Sequence, residues 1–256
     1  MMTRAWLILA DILVHLLLLF SLILFYTLPL SEQHISKEDR MAREASMNKD
    51  NLIDVNLEEK LVLLSAKVGD PVFIRIFKEE SLLEVWIRSG AEYQHLKDYF
   101  ICAYSGYLGP KLQEGDRQSP EGFYKVKKYQ LNPNSKYHLS FNLGFPNKYD
   151  REHNRTGSFL MVHGNCVSDG CYAMTDEKIE EIYTLVEGAL QKSQKYVQVH
   201  AFPFRMTDVN MALYSESEWY DFWVNLKEGY DYFESEKLPP HVKVEEKQYT
   251  IHEANE

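Results

Sequence analysis

The chain has 256 residues, 45% of them hydrophobic, and a formal net charge of −10. That length suits one sizeable core plus extensions and leaves no room for two large domains; so acidic a chain is not built for non-specific contact with nucleic acid or an anionic membrane, because phosphate contacts need clustered Lys and Arg. Three cysteines, Cys102, Cys166 and Cys171, cannot all pair within one chain, which excludes a scaffold built on disulfides.

From Ile12 to Leu30 the chain is almost wholly apolar, ILVHLLLLFSLILFYTLPL, with Arg4 before it and SEQHISKEDR after it. This is the pattern of an export signal, close to the length that crosses a bilayer, and no small-residue cleavage pair precedes Ser31. Residues 1–30 are therefore expected to be a signal anchor rather than a removed signal peptide, with the remainder translocated. Residues 31–66 are charged, and NLIDVNLEEKLVLLS carries apolar positions at helical spacing, so this stretch reads as a linker ending in a helix.

The period then changes. PVFIRIF, LLEVWIR and YFICAYSG, separated by KEES and SGAEYQ, are short runs rich in Val, Ile, Phe, Tyr and Trp, which predict antiparallel strands. GFYKVKKYQL, YHLSFNLGF and SFLMVHG continue the pattern, and Pro120 and Gly122 set a turn into the first of these. At Thr175 the pattern switches to a helix: Thr175 caps, Asp176 and Glu177 suit the first turn, and Ile179, Ile182, Tyr183, Val186 and Leu190 form one face. YVQVHAFPF returns to strand. ESEWYDFWVNLKEGYDYFES predicts a second amphipathic helix whose aromatic stripe, through Trp219, Phe222, Trp223, Leu226, Tyr230 and Phe233, is packing surface. The domain organisation that follows is a catalytic-sized domain over 67–205 and an aromatic, acidic extension over 206–256.

The stretch VHGNCVSDGCYAM, residues 162–174, concentrates the chemistry: His163, Cys166, Ser168 and Cys171. A structural zinc site is disfavoured, since the cysteines are five apart and no second ligand pair exists; no metal or other cofactor is expected. A Cys166–Cys171 disulfide closed by a Val-Ser-Asp-Gly turn remains open in an exported chain. The third reading is a nucleophile with its base: His163 closes a predicted strand and Cys171 lies just before a predicted helix, so imidazole and thiol can face each other. Gly170 permits a sharp turn, and the amides around it can point at a developing oxyanion. Cys102, in apolar YFICAY, reads as a small core residue, and Cys166 as a buried thiol beside the site.

The string His163-Gly164-x-x-x-Ser168-x-Gly170-Cys171 resembles the signature of the L,D-transpeptidase (YkuD-like) catalytic domain, in which a histidine accompanies S-x-G-C. SPEGFYKV is similar to that family's Thr/Ser-Pro-x-Gly-x-Phe run, and PVFIRIFKEESLLEVW, SGYLGPKLQEGDRQ and LNPNSKYHLSFNLGFPNKYDREHNRTG resemble its YafK-like branch, over about Pro71 to Arg205. The resemblance implies a mainly β fold with α, an L,D-transpeptidase-like β-sandwich with a helix after the catalytic cysteine and a helical C-terminal extension. It implies a periplasmic enzyme whose partners are peptidoglycan stem peptides, and the apolar segment 12–30 adds the expected anchor in the inner membrane. It implies Cys171 as nucleophile, His163 as base, and Gly170, Ser168 and Gly164 as oxyanion or pocket positions.

Members of this family take the acyl group from the L-centre of meso-diaminopimelate and pass it to an amine or to water, and the YafK-like branch is associated with detaching a wall-bound outer-membrane lipoprotein. The competing reading is a non-catalytic wall-binding module that has kept the fold. One departure is visible: many members follow the cysteine with Ile-Arg, whereas Tyr172-Ala173 stands here. Arg205, at the end of a predicted strand, is the candidate to bind the substrate carboxylate in its place, against the plainer reading of a surface arginine. Tyr149 and Arg155, with Asp150 and Thr156, are expected to line the cleft before His163 unless they form a solvated loop.

Overall fold

The computed structural model describes residues 56–192 and 194–254, which belong to one compact unit. The apolar segment 12–30 and the linker to residue 55 lie outside the described residues. No helix among the described residues is long and apolar enough to cross a membrane.

Two sheets carry the fold. A five-stranded sheet has the order β3-β2-β1-β9-β4, formed by β1 (Val72–Phe77), β2 (Leu82–Ser89), β3 (Glu92–Phe100), β4 (Gly122–Val126) and β9 (Val197–Phe202). A four-stranded sheet runs β5 (Leu131–Ser135), β6 (His138–Asn142), β7 (Met161–His163) and β8 (Tyr172–Ala173). Neighbours are antiparallel except for two parallel pairs, β1 with β9 and β7 with β8.

The near-continuous apolar run of β1 has a physical reason: every residue of it is buried, because both faces of the central strand are covered. Val72, Ile74 and Ile76 enter one core with Phe141, Val162 and Tyr172 of the second sheet and with Ile179, Ile182, Leu185 and Val186 of helix α3 (Asp176–Lys192). Phe73 and Phe77 alternate to the other face, where α5 (Tyr220–Glu236) lays down Phe222, Trp223, Leu226, Tyr230 and Phe233. Arg75 shares that face. It is buried among Phe77, Trp86, Tyr230 and Phe233, and its guanidinium binds Glu84 at 2.7 Å and Glu234 of α5 at 2.6 Å. The aromatic stripe is thus packing surface, keyed to the sheet by an ion pair.

Shorter helices complete the unit: α1 (Leu57–Leu63), capped by Asn56, sends Leu61 into the first core, α2 is Lys148–Glu152 and α4 is Asp208–Leu213. A hairpin of β10 (His241–Glu245) and β11 (Gln248–His252) closes the chain.

The strand expectations need correction. GFYKVKKYQL keeps its strand only to Val126; Lys128–Gln130 then forms a 3₁₀ turn before β5. β3 starts at Glu92, not at Tyr99, because Gly90 (φ +70°) and Ala91 make a two-residue turn inside SGAEYQ; the polar EYQHLKD then runs as an edge strand. After Phe100 the stretch ICAYSG leaves the sheet as loop. The β10–β11 hairpin was not expected at all. Its turn is Glu246-Lys247, both at positive φ (+50° and +63°), the geometry that usually announces itself with Asn-Gly.

A buried polar knot joins the long loop after β3 to the end of β1 and to α5. Lys78 and Glu121 are completely buried; Lys78 donates to Glu121 (3.0 Å) and to the carbonyls of Gly109 and Ser119, while Glu121 also accepts from Gly109 N and from Trp223 Nε1 (2.8 Å). The segment that precedes β4 is therefore fixed; the turn expected at Pro120 and Gly122 lies earlier, at residues 113–116, and Pro120 leads directly into the strand at Gly122.

Candidate active site

His163 ends β7 and Cys171 immediately precedes β8. In the parallel β7–β8 pair Val162 faces Tyr172 and His163 faces Ala173. Side chains alternate along a strand, so Val162 and Tyr172 point into the core while His163 and Ala173 share the opposite side; Cys171 stands at the bend that enters β8, next to the strand end that carries His163.

His163 is buried, lies against the ring of Tyr137 (centroids 4.6 Å apart), and its Nδ1 is 2.6 Å from the carbonyl of Gly164. A carbonyl only accepts, so Nδ1 carries the proton and Nε2 keeps a free lone pair. Burial holds its pKa below the ordinary histidine value, with the Gly164 bond opposing, so the ring is a neutral base.

Cys171 is half-buried, and its Sγ donates to the carbonyl of Phe159 at 3.6 Å. Burial pushes the thiol above its ordinary pKa, Asp169 adds to the rise, and the Met161 backbone and Lys111 pull the other way. The resting pair is therefore thiol with neutral imidazole, and the base must remove the proton as attack begins.

Three serines hold the backbone around the thiol. Ser168 Oγ and Ser119 Oγ donate to the carbonyl of Cys171 at 2.7 and 3.1 Å, Ser105 Oγ is 2.6 Å from Ser168 Oγ, and Gly170 N donates to Ser105 Oγ at 2.7 Å. Ser168 thus orients Cys171. Gly170 has φ +104°, where an added Cβ would also meet Leu160 at 3.0 Å, so the sharp turn is real, but its amide is spent on Ser105 and is not the oxyanion donor in this arrangement. Gly164 is a close-packing position rather than a pocket wall: a Cβ there would sit 2.5 Å from Asp176 Oδ1, which accepts from Asn165 N at the start of α3.

The cysteine expectations are corrected. Cys102 and Cys166 form a disulfide, with Cα atoms 5.3 Å apart, and Cys171 is the free thiol. Cys102 is not a free core thiol, and the loop that carries it runs beside β8, with Ala103 and Ala173 exchanging backbone bonds of 3.1 and 2.8 Å. A Cys166–Cys171 bridge and a zinc site using Cys166 both fall with that bond.

The other candidates are not brought to the thiol. Arg205 is committed to the ion network under α5: Nη2 lies 2.6 Å from Glu84, the guanidinium rests over Phe77, and its N–H binds Glu80. Buried Glu84 already binds Arg75, and its second oxygen takes Arg205. Tyr149 is buried in a stack with Tyr249 (4.2 Å) and His153 (4.3 Å), and Arg155 is buried on Asp150 (3.0 Å) between Tyr149 and Phe222. These residues are spent on packing and ion pairing with one another, and Thr156 ties their segment to the backbone of Leu112 and Glu114.

Residues 51–197 match the L,D-transpeptidase catalytic domain model of the YkuD type. The chain belongs to the L,D-transpeptidase family. Over 184 residues it is 53% identical to the Escherichia coli K12 protein named "Putative L,D-transpeptidase YafK", covering 72% of this chain and 75% of that one, with the same figures for the O157:H7 protein. Solved structures give more distant likenesses. The helical cell shape determining protein Pgp2 of Campylobacter jejuni has a TM-score of 0.42 at 16% identity, over 74% of this chain and 80% of that one. A single-site variant of Pgp2 gives 0.44 at 19%, with 66% and 62% covered, so that match spans under two thirds of the other chain.

Within this L,D-transpeptidase domain, sequence reasoning overlooked Ser105, Ser119 and Phe159. Ser119 was legible as the serine of the SPEG run. Ser105 sits in an irregular loop with no pattern, and Phe159 combines an exposed ring with φ +55°, a backbone state that aromatic residues seldom adopt and that nothing in the local sequence announces.

Proposed function

We propose that the protein is a thiol-dependent acyl-transfer enzyme acting on peptidoglycan stem peptides at meso-diaminopimelate. The observation that carries this reading is the free thiol of Cys171, whose backbone the Ser105–Ser119–Ser168 hydroxyls hold at the entry to β8, while the parallel partner β7 ends on the neutral imidazole of His163. Nε2 of His163 takes the thiol proton, and the sulfur attacks the carbonyl carbon at the L-centre of diaminopimelate. The amine beyond that carbonyl leaves with the proton returned by the imidazolium, and a thioester to Cys171 remains. An amine then takes the acyl group in transfer, or water takes it in hydrolysis, which detaches a lipoprotein where one is bound at that centre. The 53% identity to a protein named as an L,D-transpeptidase supports the substrate class. A periplasmic site with residues 12–30 as anchor belongs to the same proposal.

Sacculi that are tripeptide-rich, tetrapeptide-rich or lipoprotein-bearing, incubated with the protein and analysed by mass, test it. Lipoprotein release identifies hydrolysis, and new cross-links between two diaminopimelate residues identify transfer. Cys171→Ala is expected to abolish either product; turnover retained in that variant defeats the assignment, and muropeptide binding without any turnover by the parent chain makes it a wall-binding module.

A further inference from the structure

A cavity of about 420 Å³ lies between edge strand β4, the 3₁₀ turn Lys128–Gln130, the start of α2 and strand β10. None of its lining residues touches Cys171, His163 or the three serines in the bonds described above. Its size falls within the range of small-ligand sites.

The lining carries Lys125, Lys127, Lys148, Arg151 and Lys243, and no carboxylate. In a chain of net charge −10 that is a local inversion of sign. Lys148 donates to the carbonyl of Val244 (2.7 Å) and lies 3.5 Å from Glu152, and Arg151 reaches the carbonyl of Pro146. Lys125, Lys127 and Lys243 form no ion pair among the described residues, and Lys125 is the telling one. It is half-buried, its ammonium stands 4.7 Å from the ring centre of Tyr196, and burial with the like charge of Lys127 disfavours its protonated form. A half-buried cation facing other cations costs folding free energy, and a bound anion relieves that cost. The positive field extends to His241, whose protonation is disfavoured by partial burial and by Lys125 and Lys243.

We propose that this cavity is a binding site for a small phosphate-bearing polyanion, held by Lys125, Lys127 and Lys243 with the exposed ring of Tyr129 beside it, separate from the chemistry at Cys171. Lysine ammonium groups are point charges that suit the several negative charges of a phosphate compound and need no planar match, whereas a single carboxylate leaves most of the site's charge unbalanced. A free phosphate compound and a lipid headgroup share this chemistry.

Calorimetric titration of the full chain with sodium pyrophosphate at low ionic strength, alongside co-sedimentation with phosphatidylglycerol and with phosphatidylcholine vesicles, separates the two sources. The expected result is saturable binding of pyrophosphate, a rise in Tm with it, and weakening by salt. Affinity is expected to fall at least tenfold in Lys125→Gln/Lys127→Gln and in the exposed pair Lys127→Gln/Lys243→Gln, whose unliganded melting confirms folding. Charge-dependent capture by phosphatidylglycerol alone, lost in the same variants, assigns the site to a headgroup. Pyrophosphate and phosphatidylglycerol both failing to bind, or binding the variants as tightly as the parent, overturns the proposal whatever the activity of Cys171.

Discussion

At the scale of the residue, the site is set by two environments that both favour neutral groups. Burial raises the pKa of Cys171 and lowers that of His163, so the thiolate fraction at pH 7 is smaller than an ordinary thiol gives, and the imidazole is free to act as base. Because the thiolate is the reactive form, alkylation of Cys171 by iodoacetamide is expected to keep climbing with pH past ~8.5, the ordinary thiol value, with no plateau near neutrality. Asp169 is exposed and raises the thiol pKa; Asp169→Asn is expected to speed labelling at pH 7.5 by about two- to fivefold, the weight of an exposed charge of ~0.4–1 kcal/mol. A plateau at or below pH 7, or slower labelling in the variant, contradicts this electrostatic account. His163 and Cys171 were legible because their residue types and spacing matched a signature. Arg205 was misread because nothing local to FPFRMT reveals that Glu84, a hundred and more positions earlier, lies beneath it.

At the scale of the element, the catalytic loop 164–170 is held by covalent and polar ties rather than by regular structure. The Cys102–Cys166 bond joins it to the loop after β3, and the Ala103–Ala173 bridge runs alongside. A closed loop of 64 residues removes unfolded-state entropy worth about 4 kcal/mol. The double variant Cys102→Ser/Cys166→Ser is expected to lose several degrees of Tm and most of its turnover while keeping a Cys171 that reacts with iodoacetamide; unchanged melting and turnover count against the strut role. The helices α3 and α5 were readable because a 3.6-residue period of large apolar groups leaves few alternatives. β3 and the β10–β11 hairpin were not, because an edge strand needs few apolar residues and its turn used Gly-Ala in one case and Glu-Lys in the other.

At the scale of the molecule, the site depends on a buried ion pair remote in sequence from the thiol. Lys78 at the end of β1 and Glu121 before β4 hold the loop that carries Ser105 and Ser119, and Trp223 of α5 closes the knot. Removing one partner leaves an uncompensated buried charge. Lys78→Met is expected to lower unfolding free energy by about 3–5 kcal/mol in urea titration, and adding Glu121→Gln is expected to restore part of it. A cost below ~1 kcal/mol for the single variant means that the pair is not what fixes this loop. The same network explains why residues 206–254 lie within one compact unit with the sheet: α5 covers the second face of β1 and supplies Glu234 to Arg75 and the Trp223 indole to Glu121.

By itself the sequence determined the fold class, the family and the unequal standing of Cys171, since each rests on residue types at short spacing that a linear string displays. Only the tertiary structure decided which cysteines pair, where Arg205, Tyr149 and Arg155 are spent, and that a cluster of lysines from β4, α2 and β10 lines one cavity. Most of those outcomes depend on contacts between segments far apart in the chain, and Coulomb attraction, sulfur bonding and burial act on distance in space, which the order of residues along the chain does not encode directly.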